Sequence, residues 1–369
     1  MRASDRDREM WVLPLTIGSA AALAGRAIAG TALNANATAS AVPALLPFQA
    51  ARISFPALNT SDPTLLLLGA SGFAGGHLRQ ALSRGGLRVV TSSRGAGEGA
   101  PACDLLEPEG VAACVEAVRP AAIVNAAGSS SVARSWERPD EVFAVNATGV
   151  LNLLEAAARH APEAHLLCLS SAAVYGEPGA GQMPLREEAP AAPVSPYGAG
   201  KVAMEELCAQ YARSRELEVA VVRAFNLVGP GQPAFSAASG LARQIAVAER
   251  AGEERVELAL GNPAAARDTT DVRDAARALA EISRRRLVGT YNLCSGRAPT
   301  VAELAEALAG ATALEVSTRV DPALARPSDP PLLLGDPSRL GAATGFAPEI
   351  PLERSLADLL DWWRAELSA

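Results

Sequence analysis

Thr64-Leu-Leu-Leu-Leu-Gly69-Ala-Ser71-Gly72-Phe73-Ala-Gly75-Gly-His-Leu78 is the stretch on which the fold of this 369-residue chain turns. A short apolar run closed by glycine reads as a parallel strand buried on both faces. Three glycines then follow at GxxGxxG spacing, and a helical pattern continues through Leu78 and Leu82. Strand, tight turn and helix in this order set a dinucleotide pyrophosphate on a helix N-terminus. Gly69, Gly72 and Gly75 permit the turn, the close approach of phosphate and the packing of helix on strand, with Ser71 and Phe73 as further contacts in the same turn.

The next strand ends in Thr91-Ser92-Ser93-Arg94. A carboxylate there would hydrogen-bond the adenosine ribose and favour NAD. Two hydroxyls and Arg94 stand in its place, which suits a 2′-phosphate, so the expected cofactor is NADP(H), with NAD(H) as the alternative. Asp104, with Leu105 beside it, falls where such folds meet the adenine. Asn125-Ala126-Ala-Gly128 closes a further apolar strand, and its small residues let a cofactor lie against the sheet edge.

Chemistry enters with Ser195-Pro196-Tyr197-Gly198-Ala199-Gly200-Lys201, and with Ser171 in Leu-Ser-Ser-Ala-Ala-Val-Tyr-Gly. Tyr197 and Lys201 are spaced i, i+4 and share one face of a helix. A free tyrosine titrates near pH ~10, and an ammonium one turn away is expected to bring it toward the working range. A serine hydroxyl beside the pair holds a carbonyl or alcohol oxygen. The trio suits proton transfer at a carbinol oxygen while hydride moves on its carbon.

Strand and helix signals alternate along the chain. Strands are expected at 64–68, 87–91, 121–125, 165–170 and 218–223, and helices at 74–83, 108–118, 139–159 and 196–213. The fold class is therefore α/β, a doubly wound parallel Rossmann sheet with a smaller C-terminal substrate-binding lobe. The dinucleotide domain is expected over 63–226 with a returning segment near 263–294, and the lobe over 227–262 and 295–369. A helix is expected at 272–285, and an amphipathic one at 350–366 with Leu352, Leu356, Leu359, Leu360 and Trp363 as its apolar stripe. Residues 1–62 fit no element and read as a disordered extension or a start site placed too far upstream.

Composition narrows the partners. A net charge of −7 and a pI near 5.2 argue against a nucleic-acid surface. Five scattered cysteines without a CxxC read as reduced buried thiols of a cytoplasmic protein, and three histidines show no metal-ligand spacing, so no metal is implied. No membrane role is expected. A secreted protein would lose access to a cellular dinucleotide.

With these motifs in hand, the chain resembles the extended short-chain dehydrogenase/reductases that act on nucleotide sugars, from about Pro63 to its end. Within them it is most similar to reductases of GDP-linked 4-keto-6-deoxymannose and to GDP-mannose 4,6-dehydratases. The matching segments are Ser129-Ser-Ser131-Val-Ala-Arg-Ser-Trp136, Val145-Asn146-Ala-Thr-Gly149, Arg223-Ala-Phe-Asn226-Leu-Val-Gly-Pro-Gly-Gln232, Gly261-Asn-Pro, Arg267-Asp268-Thr-Thr-Asp271-Val and Arg326-Pro-Ser-Asp329. The resemblance implies catalytic roles for Ser171, Tyr197 and Lys201. It implies contacts from Ser131, Asn226, Arg267 and Arg326 to a GDP-sugar, and a homodimer. Dehydratases of this group carry an acidic pair directly after the catalytic hydroxyl residue, whereas here Ala172 and Ala173 follow Ser171. Alanine performs no acid–base chemistry. The resemblance therefore implies reduction to GDP-D-rhamnose, with an NDP-sugar 4-epimerase holding NAD tightly as the near alternative. A non-catalytic NADP-binding sensor is the alternative from another class.

Overall fold

The computed structural model describes residues 63–84, 88–94, 101–324 and 330–368. Its first half alternates strand and helix: β1 (Thr64–Leu68), α1 (Phe73–Arg84), β2 (Arg88–Ser92), α2 (Pro108–Val118), β3 (Ala122–Asn125), α3 (Val132–Glu137), α4 (Pro139–Phe143), α5 (Gly149–His160), β4 (His165–Ser171), α6 (Pro196–Ser214) and β5 (Glu218–Ala224). The remainder adds β6 (Asn226–Val228), α7 (Ala237–Ala251), β7 (Arg255–Leu260), β8 (Ala266–Arg267), β9 (Thr269–Asp271), α8 (Val272–Arg284) and β10 (Gly289–Leu293). It closes with α9 (Val301–Ala309), β11 (Glu315–Val320), β12 (Leu332–Leu333), α10 (Ser338–Thr344) and α11 (Leu352–Ser368).

Six strands form one parallel sheet in the order β10-β5-β4-β3-β1-β2. The chain moves outward from β1 to β2 and then returns to β3 on the other flank of β1. That reversal opens a crevice at the C-terminal ends of β1 and β3, the ligand-binding position of open α/β sheets. The leucines of β1 explain why its run is continuous rather than alternating. Leu66 and Leu68 pack under α2, α5 and α6, while Leu65 and Leu67 pack under α1 and α8. A strand covered on both faces needs apolar side chains at every position.

Two features depart from the sequence pattern. The helix expected over 139–159 is interrupted by a π-helical turn at Ala144–Thr148, which carries the buried Asn146. Asn146 accepts from the Ser129 amide and donates to the Ser129 carbonyl, both at 3.0 Å, so the wider turn serves the loop after β3. The sixth strand, β10, is the other. Gly289-Thr-Tyr-Asn-Leu293 has little apolar periodicity, and its pairing with β5 becomes visible only in the fold.

Beyond the sheet, α7, β7, α9, β11 and α11 enclose a separate apolar cluster, with β7 and β11 paired in parallel. On α11, Leu356, Leu359 and Leu360 are buried and Leu352 and Trp363 pack at the margin, as a period of 3.6 requires. All five cysteines are free and buried. Although far apart in sequence, Cys103 meets Cys114 and Cys168 meets Cys208 in side-chain hydrogen bonds. Among the described residues no cluster of metal-ligating side chains occurs, and no helix is long and apolar enough to cross a membrane.

Asp274 of α8 ties the final helix to this framework. Its buried carboxylate accepts from the Glu349 and Ile350 amides at 2.8 and 2.9 Å, just before α11, and from Arg277. Asp274→Ala leaves those amides unpaired, and stability falls by about 2–4 kcal/mol. The expected measurement is a lower urea midpoint with an unchanged slope.

Candidate active site

The β1–α1 turn leaves no room for a side chain at Gly69 or Gly75. Gly69 has φ 81°, and a Cβ there would lie 2.5 Å from the Ala127 nitrogen and 2.8 Å from the Ala126 oxygen. A Cβ on Gly75 would come within 2.0 Å of the Gly69 carbonyl oxygen. The turn closes through Gly72 N–H to Gly69 O at 3.0 Å and Gly76 N–H to Gly72 O at 2.9 Å. Ser71 and Gly72 are exposed, Phe73 is half-buried with its ring edge against His77, and the first turn of α1 carries no acidic residue. A bare, positive helix end with free amides suits an anion such as a pyrophosphate.

At the end of β2 the two serines part company. Ser92 is buried and its hydroxyl donates to the Pro101 carbonyl at 2.6 Å, so it serves the loop rather than a ligand. Ser93 is half-buried and accepts the Cys103 amide on its carbonyl at 2.7 Å, and Arg94 is exposed. Asp104 holds the next turn by accepting from the Leu106 amide at 3.0 Å. Leu105 is a core side chain whose carbonyl accepts from Asn152 at 2.8 Å, which leaves only its backbone edge for a ligand. Ala126 donates its amide to Leu68 and lies directly against Gly69.

The proton-transfer trio converges where β4 meets α6. Ser171 ends β4, and its oxygen accepts from the Ala173 amide at 3.2 Å. Ser195 caps α6 by accepting from Gly198 N–H at 3.1 Å, with Pro196 at the first helical position, and this sets Tyr197 in the opening turn. Gly198 lets the helix press onto the turn after Ser171, since a Cβ there would lie 2.6 Å from the Ala173 oxygen. Tyr197 is hydrogen-bonded to Ser171, and Lys201 donates to the Leu169 carbonyl at 2.7 Å. Both side chains are buried.

Electrostatics here differ from the sequence expectation. Burial pushes the Tyr197 phenol above its ordinary range, and only the Ser171 hydrogen bond works against it. Lys201 does not appear among the groups that move the phenol; its ammonium is turned to the Leu169 carbonyl. Burial lowers Lys201 itself to about 8, opposed by Cys168, Glu205 and Cys208. The trio thus rests as a protonated phenol beside a weakly held ammonium.

Asn146 joins the site without a signal in the helical pattern. Asn146 shares the space at Gly128 with Lys201: a Cβ on Gly128 would lie 2.7 Å from Asn146 Oδ1 and 3.7 Å from Lys201 Nζ. Nothing in helical periodicity marks a π turn. Lys201 is also the only lysine in the chain, whose other basic side chains are arginine and histidine. A compact ammonium retained at one position is a compositional signal of special chemistry there.

The remaining expected contacts divide. Asn226 is exposed in β6, opposite Thr269 of β9, and its amide donates to the Asp268 carbonyl at 3.0 Å. Arg267 is half-buried next to it, with Nη1 donating to the Ala266 carbonyl at 2.8 Å. The Asp268 carboxylate is held by Ser295, Gly296 and Gly335. Ser131 lies on the loop after β3, where its hydroxyl caps α3 by accepting from the Arg134 amide at 3.1 Å. Arg326 lies outside the described residues.

The chain is similar to known proteins along most of its length. Residues 66–359 match the family described as GDP-mannose 4,6 dehydratase. The GDP-6-deoxy-D-mannose reductase of Pseudomonas aeruginosa is 32% identical over 82% of this chain and 98% of its own. The UDP-glucose 4-epimerase of Azospirillum brasilense is 30% identical over 83% of this chain and 94% of its own. Among solved structures, RMD from Pseudomonas aeruginosa complexed with NADPH superposes with a TM-score of 0.74 at 31% identity, over 82% of this chain and 99% of that one. The Thermus thermophilus UDP-glucose 4-epimerase complex with NAD gives 0.71 at 30% identity, over 82% and 99%.

The glycine cradle makes a paired prediction. Gly75→Ala drives a methyl into the Gly69 carbonyl and costs about 1–3 kcal/mol. Gly76→Ala, whose Cβ would meet only the Ala70 oxygen at 3.7 Å, is neutral or stabilising. Thermal melts of the two variants check the contrast.

Proposed function

Since the chain belongs to the GDP-mannose 4,6 dehydratase family, in which nucleotide-sugar reductases and epimerases also match it, we propose that it is an NADP(H)-dependent reductase of a GDP-linked 4-keto-6-deoxy sugar. The product would be a GDP-6-deoxyhexose, GDP-D-rhamnose by similarity. The observation that carries this reading is the hydrogen-bonded Ser171–Tyr197 pair followed by Ala172 and Ala173. Expelling the C6 hydroxyl needs an acid and a base at the reacting carbons, and alanine provides neither. Reduction and epimerisation need only the trio.

The residues present fit a dinucleotide. The side-chain-free turn at Gly69, Gly72 and Gly75, with Ser71 and Phe73, would hold the pyrophosphate. Ser93, Arg94, Asp104 and the Leu105 backbone would meet the adenosine end, where Arg94 favours a 2′-phosphate. Ala126, Tyr197 and Lys201 would border the nicotinamide. When bound, the cofactor supplies the hydride. Tyr197, held protonated by burial, donates its proton to the oxygen that becomes the C4 hydroxyl. Ser171 hydrogen-bonds that oxygen, and the Lys201 ammonium, one helical turn from the phenol, would hold the nicotinamide ribose. Asn226 of the β6–β9 pair and Arg267 of the β8–β12 pair would bind the diphosphate, together with Arg326 and with Ser131 nearer the sugar. The enzyme would act in the cytoplasm, as a homodimer.

The epimerase reading keeps a specific support, the 30% identity to UDP-glucose 4-epimerase. The deciding experiment supplies GDP-4-keto-6-deoxy-D-mannose and NADPH and follows both. One NADPH consumed per sugar, with the product identified by nuclear magnetic resonance, upholds the reductase. Interconversion of two reduced sugars without net NADPH loss, from a protein that purifies with NAD, establishes the epimerase instead.

Tyr197→Phe retains the fold and cofactor binding while turnover falls by about 10²–10⁴, as steady-state kinetics will register. Lys201 must stay charged, so kcat/KM for the cofactor is full below about 8 and declines above it. The phenol ionises higher and does not set that limb. Arg94→Ala weakens NADPH and leaves NADH nearly untouched, measured as the ratio of their dissociation constants.

A further inference from the structure

Behind the trio lies a buried ionic cluster that the proposed reaction does not use. Glu205 follows Lys201 by one helical turn, on the same face of α6. Its carboxylate accepts from Ser170 Oγ at 2.5 Å and from Arg223 of β5, through Nε at 3.1 Å and Nη2 at 2.7 Å. Arg223 Nη1 donates to Tyr175 Oη at 3.0 Å and the Glu187 carbonyl at 2.9 Å, and the guanidinium stacks on the Tyr175 ring. Tyr175 donates in turn to Asn292 of β10 at 2.6 Å. The Glu205 and Arg223 side chains are 11% and 10% exposed.

Burial of such a pair costs several kcal/mol per ion before attraction repays it, so its presence is weak evidence of stabilisation. Its location is more informative. We propose that Glu205, locked by Arg223 and Ser170, is the positioning residue that keeps Lys201 charged and seats α6 on β4. The proposal deepens the reductase reading, and it rests on Lys201 belonging to that trio.

Lys201 faces a small set of groups: Cys168 and the Leu169 carbonyl from β4, Glu205 and Cys208 on its own helix, and Asn146 across Gly128. Glu205 is the carboxylate among them, and it opposes the loss of the Lys201 proton that burial favours. Arg223 restrains that influence, since the same carboxylate neutralises its guanidinium.

Opposite charges in the pair predict opposite responses. Protein labelled with carbon-13 at the lysine ε position gives one resonance, because Lys201 is the only lysine. In the wild-type enzyme a midpoint of about 8 is expected. Glu205→Gln moves the midpoint down by about 1 unit, since an opposite charge is lost and Arg223 is left uncompensated. Arg223→Gln frees the carboxylate and moves the midpoint up. The double variant, neutral at both positions, returns toward the wild-type value and preserves the fold if either single variant fails. The alkaline limb of kcat/KM shifts in the same directions. Midpoints that stay in place or move together, with stability alone reduced, overturn the proposal and leave the reductase reading standing. Absence of ketosugar reduction with the opposed shifts intact removes the reductase reading and leaves the role of Glu205.

Discussion

Contact between the end of β4 and the first turns of α6 is the constraint on which the site depends. Three consecutive strand residues each engage a different helix residue: the Leu169 carbonyl holds Lys201, the Ser170 hydroxyl holds Glu205, and Ser171 holds Tyr197. Gly198 makes the approach possible by leaving the Ala173 carbonyl unobstructed. Effective proton transfer demands near-contact geometry, and a shift of about 1 Å is enough to lose much of it. Anchoring by three successive residues restricts both the slide and the rotation of α6.

Burial at this junction acts on the phenol and the ammonium in opposite senses, and both are useful. Burial favours neutral forms. It therefore keeps Tyr197 protonated, ready to give a proton to a reduced oxygen, while it weakens the hold of Lys201 on its own proton. An ammonium weakened by burial stays charged only with a carboxylate nearby. Glu205 occupies that position, and Arg223 carries the tie across to β5 and, through Tyr175 and Asn292, to β10.

The opposite flank of the crevice follows a different principle. Around Gly69 and Gly75 the protein contributes bare backbone, because any Cβ would strike Ala126, Ala127 or the turn itself. Rigid amides at a helix start recognise an anion without side-chain entropy to lose. Chemistry and anion binding are thus divided between β4–α6 and β1–α1, with Asn125 and Gly128 at the end of β3 between them.

Sequence alone determined the parts governed by short-range rules. The leucine run of β1, the glycine spacing, the Pro196 and Ser195 start of α6 and the i, i+4 relation of Tyr197 to Lys201 are all local, and each element appears where its pattern places it. The lack of a carboxylate after β2, and of an acidic pair after Ser171, is likewise written in single residues. Tertiary structure decided what depends on distant partners. Ser92 was withdrawn from the ligand side by Pro101, Asn146 was gathered into a π turn by Ser129, and β10 became a strand only by pairing with β5. The Tyr197 phenol shifts in the direction opposite to the sequence expectation. A spacing of four residues sets how near an ammonium can come, but burial and the competing Leu169 carbonyl settle where it points and which charge the phenol carries.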